Sequence, residues 1–167
     1  MNRDEQITFW RTIAESLHDG GNLADALDRA RAALAGTAGE AAVASVIDAR
    51  QAGRMPADAM SERPDDFPPL IVAAVAGGQI GDRLETTATT IAEALEADNL
   101  EQLKDSGLPL LPPAAVAYVS ALLDAAVDGR ASDIHIDQLQ GGGAQVRLRI
   151  DGVLQVVDPP AEDLRGA

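Results

Sequence analysis

The 167 residues contain no cysteine, which excludes disulfides, thiolate metal ligands and cysteine nucleophiles. Lysine is nearly as scarce. Lys104 is the only one, and Asp105 follows it, so no glycine-rich phosphate loop ending in Lys-Ser or Lys-Thr can be drawn here. Neither a G-x-S-x-G nor an H-E-x-x-H pattern occurs. Aromatics are limited to Phe9, Trp10, Phe67 and Tyr118, so the core must be mostly Ala, Leu, Val and Ile, a composition that favours closely packed helices. Positive charge is also short. Lys and Arg number 13 against 27 Asp and Glu, a formal charge of −14 that repels phosphate backbones and makes nucleic acid a poor partner.

Long apolar runs are missing too. Phe67 to Gly81 is short and holds Pro68, Pro69 and glycines, while Pro109, Pro112 and Pro113 break Ser106 to Leu123. Its helical remainder, 114–123, is about half of the roughly 20 residues a span requires. MNRDEQ has no basic stretch leading into an apolar one. The chain is therefore expected to be soluble and intracellular, with no direct membrane insertion and no secretory signal.

What is present is helical periodicity. Ile7, Trp10, Ile13 or Ala14, and Leu17 make one apolar stripe ending before Gly20-Gly21. Asn22 can cap a helix carrying Leu23, Ala26, Leu27, Ala30, Ala33 and Leu34 on one face. Thr37 and Glu40 have capping-box spacing ahead of Val43, Val46 and Ile47. A short helix fits Pro56 to Ser61. Asp66 is expected to cap the next, with prolines in its first turn and Gly77-Gly78 stopping it. Ile80, Leu84, Thr87, Ile91 and Leu95 predict a last long helix. The expected fold class is therefore mainly α, with a six-helix bundle over 1–98 and a linker over 99–112.

A small, incomplete α+β unit over 113–167 completes the expectation. An Ala-rich helix ends at Gly129. Ile134 and Ile136 alternate with Asp133, His135 and Asp137, predicting a strand with one half-buried face. A turn at Gly141-Gly142-Gly143 leads to Val146, Leu148 and Ile150, which alternate with Arg147 and Arg149. Asp151-Gly152 signals a tight hairpin, and Val153, Leu154, Val156 and Val157 return.

Few residues invite chemistry. Asp133, His135 and Asp137 could be metal ligands, but side chains at i and i+2 stand roughly 7 Å apart on a flat strand, so a polar outward face is the better account. His18 suits a helix C-terminus, and Asp4-Glu5, Asp65-Asp66 and Glu162-Asp163 suit helix starts and loops. Arg147 and Arg149 share one strand face. They either neutralise Asp133 and Asp137 or anchor an anion on a partner. No cofactor, catalytic group or metal site is expected.

Ala131-Ser132-Asp133-Ile134-His135-Ile136, followed after a gap by Val146-Arg147-Leu148-Arg149-Ile150-Asp151-Gly152-Val153-Leu154, resembles a segment of the type II secretion and type IV pilus assembly ATPases. The likeness covers about residues 110–160, and their catalytic domain is missing. It implies the start of the smaller domain preceding the nucleotide-binding domain, with Arg149 the counterpart of an arginine approaching nucleotide held by another chain. Phe9 to Leu17, Ala24-Asp25-Ala26-Leu27, Phe67-Pro68-Pro69-Leu70 and Ala76-Gly77-Gly78-Gln79-Ile80-Gly81-Asp82-Arg83-Leu84 are similar to the cytoplasmic helical domain of the platform protein, the F component or pilus C component. That likeness spans about residues 8–98. The family usually carries Glu where Gln79 stands, and its membrane helices are not visible here.

Together the resemblances imply a non-enzymatic adaptor or scaffold of a secretion or pilus system at the cytoplasmic face of the inner membrane. Its partners would be the ATPase, platform proteins or a second copy. Asp133, His135, Arg147, Arg149, Asp151 and Gly152 form the expected interface. Two alternatives stay open: a nucleotide-sensing module using Arg147 and Arg149, or a relic in which only the bundle binds.

Overall fold

The computed structural model describes residues 1–139 and 143–158, excepting the side chains of Pro113, Val116 and Ala117. The chain divides into two compact units, Met1–Pro113 and Ala114–Ala167. Gly141, Gly142 and the Glu162-Asp163 pair lie outside the described residues.

The first unit contains α1 (Arg3–His18), α2 (Leu23–Ala33), α3 (Ala38–Gln51), α4 (Pro56–Ser61), α5 (Pro69–Ile80), α6 (Leu84–Glu96) and a 3₁₀ helix (Leu100–Asp105). Its mainly helical character and six α-helices match the expectation. Alanines at 26, 30, 42, 74, 76, 88, 92 and 94 are all buried, letting helices approach closely around a centre formed by Phe9, Trp10 and Phe67. Phe9 meets Trp10 edge-on at 4.7 Å and Phe67 at 5.8 Å, so three of the four aromatics stand together. Asn22 caps α2 as expected, accepting from Ala24 N (2.8 Å) and Asp25 N (3.1 Å). The reciprocal capping box sits elsewhere, at Asn2 and Glu5 of α1. At α3, Thr37 accepts from Gly39 N while Glu40 accepts from Gly36 N instead of Thr37 N.

Four further expectations need correction. Gly77-Gly78 does not stop α5, which runs on to Ile80. These glycines serve close approach: a Cβ on Gly77 would lie 1.7 Å from Pro109 O, and one on Gly78 2.3 Å from Thr87 Oγ1. Ile80 does not open α6; it ends α5 and is exposed. Asp66 does not cap α5, whose N-cap is Pro68 without a side-chain bond; it pairs with the Met1 ammonium and Arg63 instead. Burial works upward on the Asp66 carboxyl, but the hydrogen bonds from Met1 and Arg63 outweigh it and hold its pKa low. Finally, 99–112 is not a free linker. Leu103 in the 3₁₀ helix is fully buried, Leu111 N donates to Ala73 O (3.0 Å), and Pro109 lies across Gly77. Proline discourages helix and ladder, yet it does not prevent a strap from packing by its own apolar surface.

The second unit has α7 (Pro113–Asp128), β1 (Asp133–Gln138), β2 (Ala144–Ile150) and β3 (Val153–Val157), the strands forming an antiparallel meander in that order. Leu122 and Ala126 of α7 pack on Val146 and Leu148, with Tyr118, Ala131, Ile134, Ile150 and Val157 around them. Asp151 (φ 50°) and Gly152 (φ 80°) both take left-handed backbone, the two-residue hairpin turn the sequence predicts. Ile136 departs from the expectation of a buried face: it is 63% exposed. It shares the core face with Ile134, but the cluster under α7 takes in Ile134, Val146 and Val157 while leaving Ile136 and Val153 open.

Candidate partner-binding surface

The sheet's other face gathers the polar residues. Antiparallel register sets Asp133 opposite Arg149 and His135 opposite Arg147, with Val156 and Leu154 next in line on β3. Opposed residues share a face, so the i, i+2 spacing of both strands becomes a compact cluster. Arg147 donates from Nη2 to Asp137 Oδ2 at 2.6 Å, a diagonal pair, and Arg149 Nε lies 3.2 Å from Asp133 Oδ2. Arg149 Nη1 also donates to Gly152 O (3.3 Å), tying the cluster to the hairpin turn. The structure therefore brings Asp133, His135, Arg147, Arg149 and Gly152 together, with Asp151 beside them in the turn.

Each arginine is matched by a carboxylate, so neither offers an unspent charge to an anion. The same pairing occupies both aspartates of Asp133-x-His135-x-Asp137. Among the described residues no three metal-ligating side chains converge. His135 Nε2 and Arg147 Nε are buried without a hydrogen-bond partner. Exposed Val156 beside Arg147 was not singled out by sequence, because Val153, Leu154, Val156 and Val157 have no clean alternation to assign a face.

In the helical unit, Gln79 Oε1 accepts from Ala57 N (3.3 Å) and so serves the N-terminus of α4, whose own N-cap Met55 makes no side-chain bond. His18 bonds Glu85 through Nδ1 (2.9 Å), linking α1 to α6. That hydrogen bond, then the Glu85 charge, raises the imidazole pKa above 6.5. Arg11 grips Glu96 with two donors (2.7 and 2.6 Å), and Arg3 donates to Leu95 O and Glu96 O at the C-terminal end of α6.

The chain thus combines a helical bundle with a small sheet whose arginines are internally paired. The family described as type II secretion system (T2SS), protein F matches residues 9–126, well over half the chain, and the protein belongs to that family. The match runs from Phe9 in α1 through the 3₁₀ helix and the strap, and ends in α7 at Ala126. It thus takes in most of α7, a helix that the ATPase resemblance also covers. No curated protein and no solved structure matches the chain. No helix among the described residues is long and apolar enough to cross a membrane.

Proposed function

We propose that the protein is a non-enzymatic adaptor of a type II secretion or type IV pilus-like system. It would act at the cytoplasmic face of the inner membrane and bind the secretion ATPase, platform proteins or both. The observation that carries this reading is the family match across all six bundle helices. The ATPase-like strands fit the same reading, as a second docking module joined to the first by an anchored strap. Partner binding is tested by biolayer interferometry of the intact chain against the system's ATPase and platform protein. Saturable binding to at least one is expected, and none to either contradicts the reading.

The internal Arg–Asp pairs favour an adaptor over a nucleotide sensor. An incoming phosphate must displace a carboxylate already held at 2.6 or 3.2 Å, regaining little for a charge already compensated. Calorimetry with ATP should show no binding heat with the chain alone. Saturable heat that disappears in Arg147→Ala or Arg149→Ala would restore the sensor reading.

A further inference from the structure

We propose that the outer edge of β1 is a self-association site, at which two copies pair antiparallel about a two-fold axis through Ile136. Leu139 N donates to Gly143 O (2.9 Å), and those residues continue the β1–β2 register. In an antiparallel ladder, residues alternate between pointing their N–H and C=O groups at one neighbour and at the other. Residues 133, 135 and 137 therefore turn their backbone to β2, and Ile134, Ile136 and Gln138 turn theirs outward. No strand among the described residues pairs with that edge.

Side chains choose the occupant and the register. Self-pairing that keeps faces matched can place Ile134 opposite itself, His135 opposite itself, or Ile136 opposite itself. The first overlaps only the start of β1, and a pairing centred on Asp137 overlaps only its end and opposes two aspartates. The second sets Asp133 against the other copy's Asp137 twice, and like charges directly opposed are destabilising. The third opposes His135 with Asp137 and Ile134 with Gln138, with no like charges facing. It also joins all three outward-turned residues of each copy in hydrogen-bonded pairs, the longest ladder of the three.

This register also covers apolar surface that the isolated chain leaves open. Ile136, 63% exposed, meets its own symmetry mate. Val119, Leu123 and Val127 recur at i, i+4 and i+8 along α7 and are all exposed. Tyr118 OH donates to Asp158 O just past β3, so that flank of α7 faces β3. Val119, about 100° further round the helix, begins a different flank from the one Tyr118 occupies. Two-fold pairing at β1 merges two three-stranded sheets into one.

The absence of cysteine makes the test clean. Sedimentation equilibrium of the unmodified chain from about 5 to 500 µM should show a reversible monomer–dimer equilibrium. A monomer throughout overturns the proposal. Ile136→Pro removes an outward N–H without touching the β1–β2 ladder, and should weaken dimerisation at least tenfold, with a thermal midpoint unchanged from the unmodified chain at concentrations where both are monomeric. If that variant is unstable, a second measurement decides. Ile136→Cys should cross-link under mild oxidation at least tenfold faster than Val156→Cys, which is comparably exposed on the other face. Equal rates overturn the assignment of the edge.

Discussion

His18 shows how much one exposed pair can do at the residue scale. It sits at the C-terminal end of α1, where the helix end itself favours a cation, and Glu85 completes the preference. A folded-state pKa raised above 6.5 means that the pair stabilises the fold below about pH 6.5. That contribution is lost as pH rises through the folded pKa. Both groups are largely solvated, so the effect belongs in a titration and not in a stability ledger. Proton NMR should place the His18 midpoint above that of a model imidazole, and Glu85→Gln should bring it back. An unshifted His18 in the unmodified protein would mean that the bond is not populated. Sequence position alone supplied the helix-end reading. It could not supply Glu85, which is 67 residues away and meets His18 only because α1 and α6 pack together.

At the scale of elements, Gly77 and Gly78 carry the clearest lesson. A glycine pair inside an apolar run is read by local rules as a helix stop, and the structure uses it as a contact instead. The missing side chains let Pro109 and Thr87 close on α5. Alanine in a helix interior gains about 1 kcal/mol over glycine by propensity, whereas overpacking costs about 1–3 kcal/mol. At Gly77 the obstacle is backbone at 1.7 Å, so overpacking must win and the strap must move. At Gly78 the obstacle is the buried Thr87 side chain, with Oγ1 at 2.3 Å, Cβ at 3.1 Å and Cγ2 at 3.3 Å, so a side chain and not backbone must shift. Urea unfolding should find Gly77→Ala destabilised by about 2 kcal/mol and Gly78→Ala distinctly less affected. Equal midpoints for the two variants would show that the strap is not held against α5.

Other elements were legible for equally physical reasons. The α2 stripe, the Asn22 cap and the Asp151-Gly152 turn each depend on neighbours within a few residues, which is the range that pattern reading reaches. The strap, the open Ile136 and the β3 side of the arginine face depend on what packs across the fold. Proline and glycine content described 99–112 as a connector, and nothing local says that Leu103 and Leu111 find places against the helices. The Arg–Asp pairs lie between these extremes. Alternation predicted a shared face, while register decided that Arg147 reaches the diagonal Asp137 and Arg149 the opposed Asp133.

For the whole molecule, the strong negative charge, the internally paired arginines and the family match across the bundle are what support the proposed adaptor, whose work would be done by the surfaces it offers to others. Its acidity also sets how such contacts respond to salt. Self-pairing of two acidic chains should strengthen as ionic strength rises, and docking on a basic partner should weaken. The most direct test is binding of the intact protein to the secretion ATPase and to the platform protein, measured by interferometry across a salt series. Saturable binding to at least one of them is expected, with no ATP turnover by the protein alone. Absence of binding to both, or hydrolysis by the purified chain unaided, would contradict the proposed adaptor role.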